Sequence, residues 1–247
     1  MAPAPQRVAS RQSPGMQADF SFKGGRGAEV NPYRRHMEPR ARLVVMASGN
    51  GSNAQAVIDA CAAGTIAAEI VAVVSDRSDA RVLSRADASG IPDVYVGRRP
   101  GELRPDYDAR LADVVSGFDP DHVVLLGWMR ILTTSFLGWF PGMVVNLHPA
   151  LPGELPGTEA IARAFAEYQR GERDHSGVMV HLVPDEGVDD GPLLAFDRVD
   201  FEPGDTLDTF EHRVHAAEHR LIVATLRALC DSVVPTPRHR EHQETPS

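Results

Sequence analysis

From Arg42 onward, short runs of branched apolar residues alternate with longer stretches of helical period. Residues 43–46, 66–74, 94–96 and 122–126 are apolar runs of the length and composition of buried strands. Between them, residues 54–63, 79–89 and 107–116 carry a 3.6-residue apolar period, and Gly64 and Gly90 stand where helices stop. A further strand, beginning at Met143, ends on Asn146-Leu147-His148, because Pro149 has no N–H for a ladder. A helix over 158–170 runs to Gly171. The pattern then changes to two strands, 178–183 and 193–201, with a loop between them and a long helix over 207–229. Alternation of this kind predicts an α/β fold: a Rossmann-like, doubly wound, mainly parallel sheet in a single domain over 42–232. Residues 1–41 are polar, rich in Pro, Gly, Ser and Arg and without apolar period, which predicts a disordered tail. Residues 233–247 read as a flexible tail.

Composition narrows the class. The 247 residues are 43% hydrophobic, enough for a sizeable core, and the net charge of −9 argues against a general nucleic-acid binder. That charge does not exclude a phosphorylated small molecule, which local donors bind. Cys61 and Cys230 form no metal or redox motif and sit in apolar helical patterns, so free thiols in a reducing cytoplasm are expected. No run approaches a membrane span and the amino-terminal stretch has no secretory apolar core, so a cytoplasmic protein with no membrane partner is expected.

Candidate chemistry gathers at three places. Period-2 alternation puts Asn146 and His148 on one side of their strand at its carboxyl end, where open α/β sheets bind ligands. An amide donor beside an imidazole suits a developing oxyanion and a proton transfer, whereas a satisfied core histidine is the plainer alternative. Ser48-Gly49-Asn50-Gly51-Ser52-Asn53 lies between a strand and a helix, where free N–H groups and the helix dipole favour an anion. Gly49-x-Gly51-x-x-Ala54 with Asp76 also fits a dinucleotide fingerprint, which keeps a nicotinamide-dependent oxidoreductase open. The third place is the acidic loop Asp185-Glu186-Gly187-Val188-Asp189-Asp190-Gly191-Pro192, from which a carboxylate folded back toward His148 would orient the imidazole and favour its protonated form. Its spacing is not that of a calcium loop, and no metal is expected. No Ser or Cys stands in a nucleophile elbow, so a covalent acyl-enzyme is not suggested.

With the glycine loop, Gly127-Trp128-Met129-Arg130-Ile131-Leu132, Asn146-Leu147-His148-Pro149 and Val188-Asp189-Asp190-Gly191-Pro192 together, the chain from about 42 to 229 resembles the phosphoribosylglycinamide formyltransferases, a folate-dependent family of purine biosynthesis. The resemblance implies transfer of the formyl group of 10-formyltetrahydrofolate, a co-substrate, to the amine of glycinamide ribonucleotide. It implies a catalytic set of Asn146, protonated His148 and Asp189. It implies phosphate and ribose contacts at Gly49, Asn50, Gly51, Ser52, Asn53 and Glu218. Folate contacts are implied at Arg104, Met129, Arg130, Ile131, Leu132, Asn146, Val183, Pro184 and Asp185. Small-molecule substrates and a monomer or homodimer follow from the same likeness. Three departures stand out: the loop Pro149-Ala150-Leu151-Pro152 after His148 reads one residue shorter than the common form, Glu159 replaces a common histidine, and Asp190 adds a charge beside Asp189 that is expected to raise the pKa of Asp189 or His148. Formyltetrahydrofolate deformylases share the core but carry an amino-terminal regulatory domain, and methionyl-tRNA formyltransferases carry a carboxyl-terminal barrel. A hydrolase of the first kind is the alternative within the fold.

Overall fold

The computed structural model describes residues 40–232. The tails expected over 1–41 and 233–247 lie outside it, apart from Arg40 and Ala41, and Ala41 already belongs to the first strand. In chain order the elements are β1 (Ala41–Met46), α1 (Ser52–Ala62), β2 (Ala68–Ser75), α2 (Arg81–Ala88), β3 (Asp93–Tyr95), α3 (Arg104–Ser116), β4 (His122–Leu125), α4 (Thr134–Leu137), β5 (Val144–His148), α5 (Ala160–Gln169), β6 (His175–Leu182), β7 (Leu193–Asp200) and α6 (Leu207–Asp231).

The strands form one seven-stranded sheet in the order β3-β2-β1-β4-β5-β6-β7. Strands β1 to β5 pair in parallel, and β6 and β7 are added antiparallel to their neighbours. The expected mainly parallel, doubly wound sheet is therefore the one observed, with helices on both faces. Alternation along β1 explains why: Leu43 and Val45 face α1, α2 and α6, whereas Val44 and Met46 face α3 and α4. Both faces are apolar because both are covered, as parallel sheets require. A third apolar cluster, with Phe165, Val178, Val199, Phe210 and Val214, fastens α5 and the start of α6 to β6 and β7.

Strand order reverses between β1 and β4, and the turns leaving these two strands part to leave a crevice. Two hydrogen bonds fix the turns relative to each other. Ser48 N–H donates to the Gly127 carbonyl at 3.0 Å, and Met129 N–H donates to Ser48 Oγ at 3.0 Å. The short helix α4 is the one element the periodicity did not announce, being a single turn closed at Gly138.

Candidate active site

The carboxyl end of β5 supplies two side chains. His148 is buried, and Asn146 lies half-buried beside it on the same side of the strand. The neighbouring strand supplies a third that sequence reasoning missed. In the antiparallel register Asn146 stands opposite His181, whose Nδ1 faces the Leu182 carbonyl at 2.8 Å. Asn146 Nδ2 lies 3.1 Å from His181 Nε2 and donates to Asp189 Oδ1 at 3.0 Å. The available signal was a histidine at an inward position of an otherwise apolar strand, and only the register gives it a partner.

Asp189 comes from the loop between β6 and β7. Gly191 turns that loop back, because any Cβ there would sit 1.9 Å from the Leu182 carbonyl oxygen. Asp189 itself holds a left-handed backbone, φ 55°, which Asp tolerates better than most residues. Its carboxylate accepts from Gly157 N–H at 2.8 Å and lies 3.3 Å from His148 Nδ1 and 3.5 Å from His181 Nε2. Burial pushes its pKa up, but the His181 contact, the Gly157 N–H and the charge of His148 outweigh this and leave it below the usual carboxylate value.

His148 departs from expectation. Burial pulls its pKa below 6.5 despite the opposing pull of Asp189 and the Leu155 carbonyl, 3.1 Å from Nε2. The anticipated effect of Asp190 is also absent. Neither Asp189 nor His148 is raised, and the Asp190 carboxylate turns over Gly187 instead.

Asn146, His148, His181 and Asp189 all line a cavity of about 360 Å³. On one side the cavity runs along Met129, Arg130, Ile131 and Leu132 and past Val183 and Asp185. Leu132 is core, whereas Met129 is 63% exposed at the mouth. On the other side it reaches Asn53, His215 and Glu218. Glu218 is buried, and His215, one helical turn before it, contacts its carboxylate at 2.7 Å. That contact raises the His215 pKa against the effect of burial. His215 is a second residue missed from sequence, although its spacing from Glu218 puts both on one face of α6.

Other implied contacts fall differently. Of the glycine turn only Asn53 lines the cavity; Gly49, Asn50, Gly51 and Ser52 adjoin it at the start of α1. That helix has no side-chain cap, and Asn53 Oδ1 is buried with no partner among the described residues. Arg104 lies off the cavity wall and donates to the Ile131 carbonyl; Pro184 also lies off it. Glu159 lines it, exposed, in a left-handed conformation at the start of α5. Asp76 pairs with Arg130, Nε to Oδ2 2.6 Å, while its Oδ1 is buried with no partner among the described residues, and Asp76 does not line the cavity. Among the described residues no cluster of His, Cys, Asp or Glu is arranged to hold a metal, and no helix is long and apolar enough to cross a membrane.

A parallel sheet with an amide, an imidazole and a carboxylate at its carboxyl edge is the architecture of a group-transfer enzyme, and the sequence profile of formyl transferases matches residues 41–226. The chain belongs to that family and, within it, to the phosphoribosylglycinamide formyltransferases. It is 36% identical over 200 residues to the phosphoribosylglycinamide formyltransferase of Dictyostelium discoideum, spanning 76% of this chain and 97% of that one. It is 38% identical over 206 residues to the enzyme of the same name from Schizosaccharomyces pombe, spanning 76% and 97%. The crystal structure of glycinamide ribonucleotide transformylase 1 from Symbiobacterium toebii superposes with a TM-score of 0.74 at 32% identity, covering 83% of this chain and 94% of that one.

Proposed function

We propose that this chain transfers the formyl group of 10-formyltetrahydrofolate to the amine of N1-(5-phospho-D-ribosyl)glycinamide, giving the N-formyl product and tetrahydrofolate in cytoplasmic de novo purine synthesis. The observation that carries the reading is a single cavity lined by Asn146, His148 and Asp189 together with two unlike sets of residues. One set, Met129, Ile131 and Leu132, is apolar; the other, Asn53, His215 and Glu218, is polar, and Asn53 stands in the first turn of an uncapped helix. The first suits a pterin and its aryl tail, the second a ribose phosphate.

The residues divide the work accordingly. Gly49, Asn50, Gly51, Ser52 and Asn53 give N–H groups to the phosphate, and Glu218 accepts from the ribose hydroxyls. Met129, Ile131, Leu132 and Val183 hold the folate ring, with Pro184 and Asp185 along its edge and Arg130 and Arg104 toward its acidic tail. Held side by side, amine and formyl carbon react directly, and proximity supplies a large part of the rate. Asn146 gives Nδ2–H to the oxyanion in exchange for its present contact with His181. A neutral His148 takes the proton that the attacking amine sheds and returns it to the leaving nitrogen, and Asp189 stabilises the imidazolium in between. The catalytic cycle thus passes through a protonated His148 without starting from one.

The test is product analysis. With both substrates, mass spectrometry of the amine product shows the added formyl group, carrying isotope when the donor's formyl carbon is labelled. Labelled formate with an unmodified amine would instead identify a hydrolase.

A further inference from the structure

Against the glycine turn lies a cation that the foregoing account leaves unused. Arg85 of α2 donates from Nε to the Asn50 carbonyl at 2.8 Å, from Nη2 to Asn50 Oδ1 at 3.3 Å and from Nη1 to Gln55 Oε1 at 3.3 Å. Gln55, in the first turn of α1, passes its own Nε2–H to Asp59 at 2.9 Å, so the chain of contacts continues into the helix. The first turn of α2 is pinned to the glycine turn by its backbone and packing. Val82 N–H donates to the Gly49 carbonyl at 3.2 Å, and the Val82 side chain sits where a Cβ on Gly51 would meet its Cγ2 at 2.6 Å. Gly51 therefore cannot carry a side chain, quite apart from its φ of 73°.

The consequence is electrostatic. The backbone N–H groups from Gly49 to Asn53 have no acceptor among the described residues, and neither has Asn50 Nδ2. Asn50 carries two oxygens in this turn, its carbonyl and Oδ1, and both are covered by the Arg85 guanidinium. Binding Oδ1 also fixes which way the amide faces, leaving Nδ2 as a free donor. An anion approaching Asn50 thus meets donors and a positive charge, with both Asn50 oxygens already engaged.

We propose that Arg85 is a positioning residue for the phosphate end of the substrate, covering both acceptors of Asn50 and holding that residue with its donors toward the anion. The identity of that substrate rests on the formyl-transfer reading above; the existence of the anion site does not. The experiment compares the unaltered chain with Arg85→Ala and Arg85→Lys. Arg85→Ala is expected to raise KM for glycinamide ribonucleotide at least about tenfold, the cost of one lost charge-assisted contact, with kcat and KM for the folate within about twofold. Arg85→Lys recovers part of the loss, because the charge returns without the fork. Equal changes in both KM values, or a fall in kcat alone, would show a merely structural role and overturn the proposal. Inorganic phosphate is then titrated by calorimetry against the same unliganded proteins, and Arg85→Ala is expected to bind it at least about fivefold more weakly. Equal affinity, or no binding to any of them, overturns the proposal. This arm reads out even if the unaltered chain transfers no formyl group, an outcome that would remove the substrate reading and leave the anion site to be judged by itself.

Discussion

Replacing Asp189 by Asn is the sharpest perturbation of the proposed chemistry, because the change is isosteric and Asn accepts the left-handed backbone at φ 55° as readily as Asp. The main chain therefore has no reason to move. The chemistry does change. Oδ2 now accepts from Gly157 N–H at 2.8 Å and Oδ1 from Asn146 Nδ2 at 3.0 Å, and an amide nitrogen at either position sets donor against donor. The charge 3.3 Å from His148 Nδ1 disappears as well, and with it the partner of the transient imidazolium. A hydrogen bond to a charged group is worth about 1.5–3 kcal/mol. If the full value is felt only in the transition state, about 3 kcal/mol corresponds to a fall in kcat of roughly 150-fold. We expect kcat to drop at least about a hundredfold in initial-rate measurements of tetrahydrofolate release, with KM for glycinamide ribonucleotide within about threefold because Asn53 and Glu218 are untouched. A cooperative thermal melt would certify the fold. A kcat within about fivefold of the unaltered chain would refute the reasoning.

Other outcomes follow from the same geometry. His148→Ala removes the proton carrier and is expected to lower kcat at least about a hundredfold while inorganic phosphate still binds; near-normal turnover would place the proton transfer elsewhere. Gly51→Ala forces a left-handed alanine against Val82, and denaturant unfolding should register a loss of about 2–4 kcal/mol, whereas a loss under about 0.5 kcal/mol would deny the close approach. His122, His148 and His219 are held below 6.5 chiefly by burial. Below that pH the unfolded chain binds more protons than the folded one, so their contribution is whole above about pH 6.5 and declines as pH falls. His215, raised by Glu218, acts in the opposite sense, its contribution being whole below about pH 6.5 and lost as pH rises through the folded value. Three against one predicts a lower melting temperature at about pH 5.5 than at about pH 7.5 in scanning calorimetry; an equal or higher one would contradict the burial argument.

Much of this was readable along the chain, and the reasons for what was not are physical. Strands such as β1 and β4 announce themselves because both faces of a covered parallel sheet are apolar, leaving short apolar runs such as residues 43–46 and 123–126. Helix ends were marked at Gly64, Gly90 and Gly171 by residues that suit a left-handed turn. The one-turn helix α4 was invisible because four residues show no period. Asn146 and His148 were legible because alternation within one strand fixes their common side. His181 was not, because its pairing with Asn146 depends on the register of an antiparallel partner 35 residues away. The direction in which His148 is shifted was hidden for a related reason. Sequence shows the neighbouring carboxylate but not the depth of burial, and here burial is the larger effect. Asp76 illustrates the same limit, since its fit to a dinucleotide fingerprint is local whereas its engagement by Arg130 spans 54 positions.

Formyl transfer is tested most directly by whether release of the folate product requires the phosphorylated amine. Tetrahydrofolate should form at a steady rate when 10-formyltetrahydrofolate and glycinamide ribonucleotide are both present, and should stop when the amine is withheld. Release at the same rate without the amine would mean that water is the acceptor, and the cavity would then belong to a hydrolase.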